Sequence, residues 1–193
     1  MKYYEINTGA DCGADGWCYT NKEPEGIGYQ SYKFDEGEEL ENYPENLDDV
    51  TLKLDDDYPD SIKKGSFIGN ALSMLIADSK TVKIIKDFVK SGVCYYPFVL
   101  LDHKGRVHSK DYSIINPIGA YDYLNIDKSK IDFEDGEIEA IYETVLDASK
   151  LADDHHLFRI SPATGYYFIS EGLKKALEDQ NTTNMVLTEI NVL

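Results

Sequence analysis

Cys94-Tyr95-Tyr96-Pro97-Phe98-Val99-Leu100-Leu101, then His103-Lys104-Gly105, then Arg106 to Ile115, is the stretch that decides the fold. Aromatic and β-branched side chains crowd it, and these suit a pleated, half-buried surface. Pro97 cannot donate to a strand ladder, so it marks an edge or a bulge. His103-Lys104-Gly105 carries the turn chemistry of a hairpin. Two long strands joined by a tight turn are therefore expected at the centre of the chain.

Toward the N-terminus, Val82, Ile85, Phe88 and Val89 recur at helical spacing. Ser79 is the expected cap of this helix and Gly92 its left-handed stop. Residues 66–78 are short and apolar, and the spacing of Leu72, Leu75 and Ile76 suits one or two helical turns. Val50, Leu52 and Leu54 alternate with Thr51 and Lys53, which predicts a half-buried strand. Residues 7–30 are punctuated by Gly9, Gly13, Gly16, Gly26 and Gly28 and read as loop, while Met1 to Ile6 reads as a first strand.

Toward the C-terminus, residues 120–125 and 137–146 are strand candidates, the second also fitting a period of 3.6. Residues 156–160 and 166–169 bracket a Pro-Ala-Thr-Gly turn. Ser170 caps a helix running to Glu178, and Val186–Val192 is a closing strand. Ser79-x-x-Val82-Lys83 resembles Ser170-x-x-Leu173-Lys174, and the same spacing carries Cys94 onto Met185. The expected class is α+β, a mainly antiparallel sheet with two or three helices, with the option that two helix–strand units share one sheet. One domain over residues 1–193 is expected, with an acidic, loop-rich part at 1–60 and a scaffold at 66–193.

Charge narrows the function. The 193 residues hold 36 acids and 19 bases, a net charge of −17. Residues 1–60 carry 17 of the acids and 4 of the bases, net −13. Such a surface repels a phosphate backbone and an anionic membrane and attracts cationic partners. No apolar run approaches the roughly 18 residues of a membrane span. The first residues lack a signal-peptide core, and three cysteines do not suggest a disulfide framework, so a reducing cytoplasm is expected.

Motifs for catalysis are sparse. The sequence has no phosphate-binding loop, nucleophile elbow or His-Glu-x-x-His helix. Cys12 and Cys18 stand five residues apart, wider than the usual zinc pair, and no second pair lies near. Asp153-Asp154-His155-His156 is the most metal-like cluster, but adjacent strand residues point to opposite faces. The runs at Asp48-Asp49 and Asp55-Asp56-Asp57 lack the alternation of a calcium loop. No cofactor and no metal site is expected. Tyrosine is abundant at 15 residues, in pairs such as Tyr3-Tyr4, Tyr95-Tyr96, Tyr121/Tyr123 and Tyr166-Tyr167. One ring of each pair is expected to face the core and the other an interface.

The order of features from residue 66 to 190 resembles a known group. It runs through the Ser79 helix, Gly92 to Phe98, Tyr112 to Ile118, Ala120 to Leu124 and Val145-Leu146-Asp147. It continues with Leu157-Phe158-Arg159-Ile160 and Ile169 to Leu177. On these phrases the chain resembles immunity-protein family eleven of bacterial polymorphic-toxin systems. Where that family has Thr-Gly before its final strand, this chain has Thr182-Thr183-Asn184. The resemblance implies a cytoplasmic, non-enzymatic protein that binds a toxin encoded beside it and blocks it. Asp122, Phe158, Arg159, Ser170 and Glu171 match family positions. Their expected roles are structural: Arg159 pairs a carboxylate within the fold, and Ser170 and Glu171 stabilise a helix N-terminus.

The acidic first third stands outside that resemblance and is the expected place of partner specificity. Asp35, Glu36, Glu38, Glu39, Glu41, Asp48, Asp49, Asp55, Asp56 and Asp57 are the candidate contact residues. The expected partner is a cognate protein toxin, basic at the contact surface, with neither nucleic acid nor membrane involved. A metal-dependent hydrolase using Asp and His groups, or an acidic nucleic-acid mimic, are the alternatives.

Overall fold

A computed structural model describes residues 1–8, 15–152 and 155–193. The central run forms the expected hairpin. Strand β6 (Val93–Leu101) pairs antiparallel with β7 (Val107–Pro117), with irregular register between Phe98 and Leu101. Strand β3 (Thr51–Lys53) covers the other side of β6 only at Val99–Leu101. Pro97 thus lies where β6 is an edge. Its carbonyl, which points the same way as its nitrogen, accepts a 2.5 Å bond from the Tyr43 hydroxyl, so no ladder bond is lost there.

This hairpin belongs to a six-stranded sheet. Its order is β2 (Tyr19–Thr20), β4 (Phe67–Asn70), β5 (Leu75–Asp78), β7, β6, β3. A five-stranded sheet runs β10 (Val145–Leu146), β13 (Val186–Val192), β1 (Tyr3–Asn7), β12 (Tyr167–Ser170), β11 (Leu157–Phe158). A separate two-stranded hairpin joins β8 (Lys130–Glu134) to β9 (Glu137–Glu143). Asp135 and Gly136 form its turn, both with positive φ. Helices are short: α1 (Lys33–Glu36), α2 (Ser79–Phe88) and α3 (Glu171–Asp179) have 4, 10 and 9 residues.

These observations correct the expected α+β class, for the chain is mostly β. Residues 66–78 are not helical; β4 and β5 form a hairpin there, with Phe67 opposite Ala77 and Ile68 opposite Ile76. The Asn70 side chain closes the bend by accepting from the Leu72 and Met74 amides. A short apolar run reads alike as buried strand or helix, and the strands here are buried on both faces. Nor do the two helix–strand units share a sheet: β6 follows α2 into the six-stranded sheet, and β13 follows α3 into the five-stranded one. Residues 120–125 make isolated bridges at Tyr121 and Leu124 rather than a strand. Residues 137–146 take the strand option.

Apolar burial explains the layering. Phe67, Leu75, Ala77 and Ile115 of one sheet meet Tyr4, Ile6, Tyr167 and Ile169 of the other in one cluster. Val82 and Ile85 of α2 and Leu173 and Leu177 of α3 complete it. Asp78, rather than Ser79, caps α2: its side chain accepts from the Thr81 amide at 2.8 Å. The Ser170 hydroxyl caps α3 from the Leu173 amide at 3.3 Å. Strand β1 lies inside its sheet with apolar clusters on both faces, which is why Tyr3 and Tyr4 are both buried.

Phe158 and Phe168, stacked at 5.8 Å between centroids, fill the cluster on the other face of β1. Replacing Phe168 by Ala should cost about 3–5 kcal/mol of stability. Urea unfolding measures this, and a loss below about 1 kcal/mol would contradict the packing described.

Candidate functional site

The acidic tract follows the outer edge of β6. The Leu40 amide donates to the Tyr96 hydroxyl at 3.0 Å, and Asn116 donates to the Glu38 carbonyl at 2.7 Å. A 3₁₀ turn at Leu47–Asp49 and then β3 continue along the same edge, and the Leu54 amide bonds the Leu101 carbonyl. Phe34, Leu40, Val50, Leu52 and Leu54 are buried along this path. Alternation of apolar and acidic residues therefore pins the tract to the sheet while all but one of the ten candidate carboxylates face water.

The structure sorts the ten candidate acids. Asp35, Glu36, Glu38, Glu39, Glu41, Asp48, Asp49, Asp56 and Asp57 are exposed. Asp55 is buried at 4% exposure, and its Oδ1 accepts from the Asp57 amide at 3.0 Å, so it shapes the turn from inside. Glu41 pairs with Lys33 at 3.3 Å, Asp56 with Lys53 at 2.8 Å, and Asp48 with Lys110. The Lys53 contact holds the Asp56 carboxyl below its usual range. Asp35, Glu36, Glu38 and Asp57 make no ion pair among the described residues.

Two aromatic residues complete this face. Tyr29 is 99% exposed and Tyr32 53% exposed. Their loop is not slack: Gln30 donates to the Ile27 and Glu41 carbonyls and accepts from the Glu41 amide. Ile27 and Phe34 on either side are buried. Tyr32, Glu23 and Asp35 line one groove with Leu72 and Met74. Sequence reasoning looked for exposed rings in the close Tyr pairs and missed these two. Their signal was position, a pair of tyrosines inside the acidic third. Among the pairs, Tyr166 is 42% exposed with Tyr167 buried, as alternation expects, but Tyr3 and Tyr4 are both inside.

Arg159 sets the position of the face. Its guanidinium is fully buried. Nε donates to the Pro117 carbonyl, Nη1 to the Asp35 and Thr164 carbonyls, and Nη2 to the Phe34 carbonyl, Asn116 Oδ1 and the Tyr167 hydroxyl. The Tyr167 hydroxyl in turn donates a hydrogen bond to the Ser73 carbonyl at 2.6 Å. The expected carboxylate partner is corrected: among the described residues Arg159 makes no ion pair, and neutral oxygens satisfy its N–H groups. Gly37 fits beneath it with φ +71°, where a Cβ would stand 3.0 Å from Arg159 Cδ.

The remaining sequence candidates disperse. Asp122 is exposed and pairs with Lys150 at 2.8 Å. Glu171 opens the first turn of α3. Cys12, Asp153 and Asp154 lie outside the described residues. His155 bonds the Tyr123 hydroxyl at 2.8 Å, whereas His156 bonds Ser170 Oγ at 2.8 Å. The two rings thus serve different elements, although both border one cleft beside Gly92 and Gly119. Among the described residues no three His, Cys, Asp or Glu side chains come together as metal ligands. No described helix is long and apolar enough to cross a membrane.

Arg159→Met should destabilise the protein by about 3 kcal/mol or more, because it strips partners from buried carbonyls; a denaturant midpoint equal to wild type would refute the clamp. Burial pushes the Cys18 thiol up to about 11, so little thiolate exists at neutral pH. Site-resolved alkylation of the native protein at pH 7.5 should leave Cys18 unmodified and label it only after unfolding. Rapid native labelling would contradict its placement.

Comparison with known proteins supplies the remaining observation. No curated protein matches the chain. The profile of the immunity protein family Imm11 matches residues 2–192, so it takes in the acidic third as well as the 66–190 stretch whose motifs resemble that family. The chain belongs to the immunity protein family Imm11.

Proposed function

We propose that the protein binds and neutralises a cognate bacterial toxin in the cytoplasm, as a stoichiometric partner rather than a catalyst. Membership of an immunity protein family supports an immunity role. The observation that carries the contact surface is the juxtaposition of exposed Tyr29 and Tyr32 with Asp35 and Glu36 on a segment fixed by Arg159. Glu38, Glu39, Glu41, Asp48, Asp49, Asp56 and Asp57 extend the negative field along β6.

The physics suits an inhibitor. A clustered negative field raises the encounter rate with a basic partner above the unsteered range of about 10⁵–10⁶ M⁻¹ s⁻¹. Rigid tyrosines lose little conformational entropy on contact and slow dissociation. Carboxylates placed on a basic cleft can occupy the positions of substrate phosphates, so a nucleic-acid-active toxin is the fitting target.

Asp55 is left out of the test because it is buried. The triple variant Glu36→Lys, Glu38→Lys, Asp57→Lys should slow association with the toxin domain by about tenfold at low salt and flatten its salt dependence. Stopped-flow association kinetics measure both. An unchanged rate and salt slope would remove this face from the encounter.

A further inference from the structure

The β8–β9 hairpin lies apart from both large sheets and carries an apolar face of its own. Ile131 opposes Ile141 and Phe133 opposes Ile138. Ile131, Ile138 and Ile141 rest partly buried on the cluster of Phe158 and Phe168. Phe133, nearer the tip, overhangs and is 53% exposed. Between the hairpin and the 162–166 loop runs an open groove of about 560 Å³, bordered by Ile126, Phe133, Ile138, Pro162, Ala163 and Tyr166. Ile126 and Tyr166 are 52% and 42% exposed. Isolated two-stranded hairpins are marginal in water, so leaving this face half covered costs stability.

Charge specifies what covers it. Residues 130–143 hold six acids and one base, net −5. Asp132, Glu134, Asp135 and Glu139 are exposed, and Glu139 itself borders the groove. A second copy of this chain would bring the same negative rim against itself. A segment with apolar side chains flanked by Lys or Arg would satisfy both groove and rim.

We infer that the groove beside the β8–β9 hairpin is a second toxin contact, which takes an apolar segment flanked by basic residues and holds the complex together after the acidic face has steered it. This inference rests on the proposed toxin-binding function. It divides labour between two surfaces. The acidic N-terminal face governs association, and the groove joins its tyrosines in slowing dissociation.

The test uses the full-length protein and the toxin domain encoded in the neighbouring gene, with association and dissociation followed by surface plasmon resonance. Phe133→Ser should speed dissociation about tenfold or more, as loss of an interface anchor does, with association within about twofold of wild type. Glu134→Lys with Glu139→Lys should weaken the complex by a similar factor. Circular dichroism and melting curves matching wild type show that each variant folds. Should both variants dissociate within about twofold of wild type, the groove is not a toxin contact, while the immunity reading stands. Should wild-type protein fail to bind the toxin domain, the immunity reading falls and the inference with it. Self-association lost in Phe133→Ser, with toxin binding unaltered, would assign the groove to a second copy and overturn the inference.

Discussion

A buried guanidinium that has no carboxylate partner among the described residues governs the arrangement of this protein. Removing such a charge from water costs several kcal/mol, and hydrogen bonds must offset the loss. Burial pushes the Arg159 pKa down, partly opposed by Tyr167 and Asp35. Its acceptors come from α1, the end of β7, the 162–166 loop and β12, with Ser73 reached through Tyr167. These segments are far apart in sequence, so the cation is satisfied only when all of them are in register. The carbonyls of α1 that it binds would otherwise lack partners at the end of a one-turn helix. In this way one interaction couples the acidic segment to both sheets.

For the proposed function, that coupling would preorganise the acidic face. An acidic tract of this composition would, left free, lose its own conformational entropy on binding. Here buried Phe34, Leu40, Leu52 and Leu54 fix its path, and Lys33 closes its first turn by donating to the Glu39 carbonyl and the Glu41 carboxylate. The carboxylates are presented in a set geometry before a partner arrives. The ion pairs in the tract are largely exposed and contribute little to stability. The carboxylates of Asp35, Glu36, Glu38 and Asp57, without an ion pair among the described residues, supply much of the long-range field.

Much of the backbone was legible in the sequence, for identifiable reasons. The β6–β7 hairpin, the two capped helices and the closing strand announced themselves by period and turn chemistry. The β4–β5 hairpin did not, because strands buried on both faces lose the alternation that distinguishes them from helix. Strand β8 was overlooked, since Lys130, Asp132 and Glu134 mask its two apolar residues. The chain is mostly β rather than α+β because the 66–78 run is strand and the helices are short, and the shared sheet fails because helix–strand repeats in sequence do not say which sheet each strand joins. The Arg159 clamp was out of reach: its acceptors are mainly backbone carbonyls, which every residue possesses. Asp55 shows the same limit, as three consecutive aspartates give no sign that the first turns inward. The family match covers residues 2–192, so the acidic third, expected to stand outside the resemblance, falls within it.

Hydrogen–deuterium exchange with and without the toxin domain tests the central claim most directly. Slowed exchange on complex formation is expected across residues 25–41 and 130–143, with little change in α2 and α3. Protection confined to α2, α3 or the cleft beside His155 and His156, with neither of those segments affected, would contradict it.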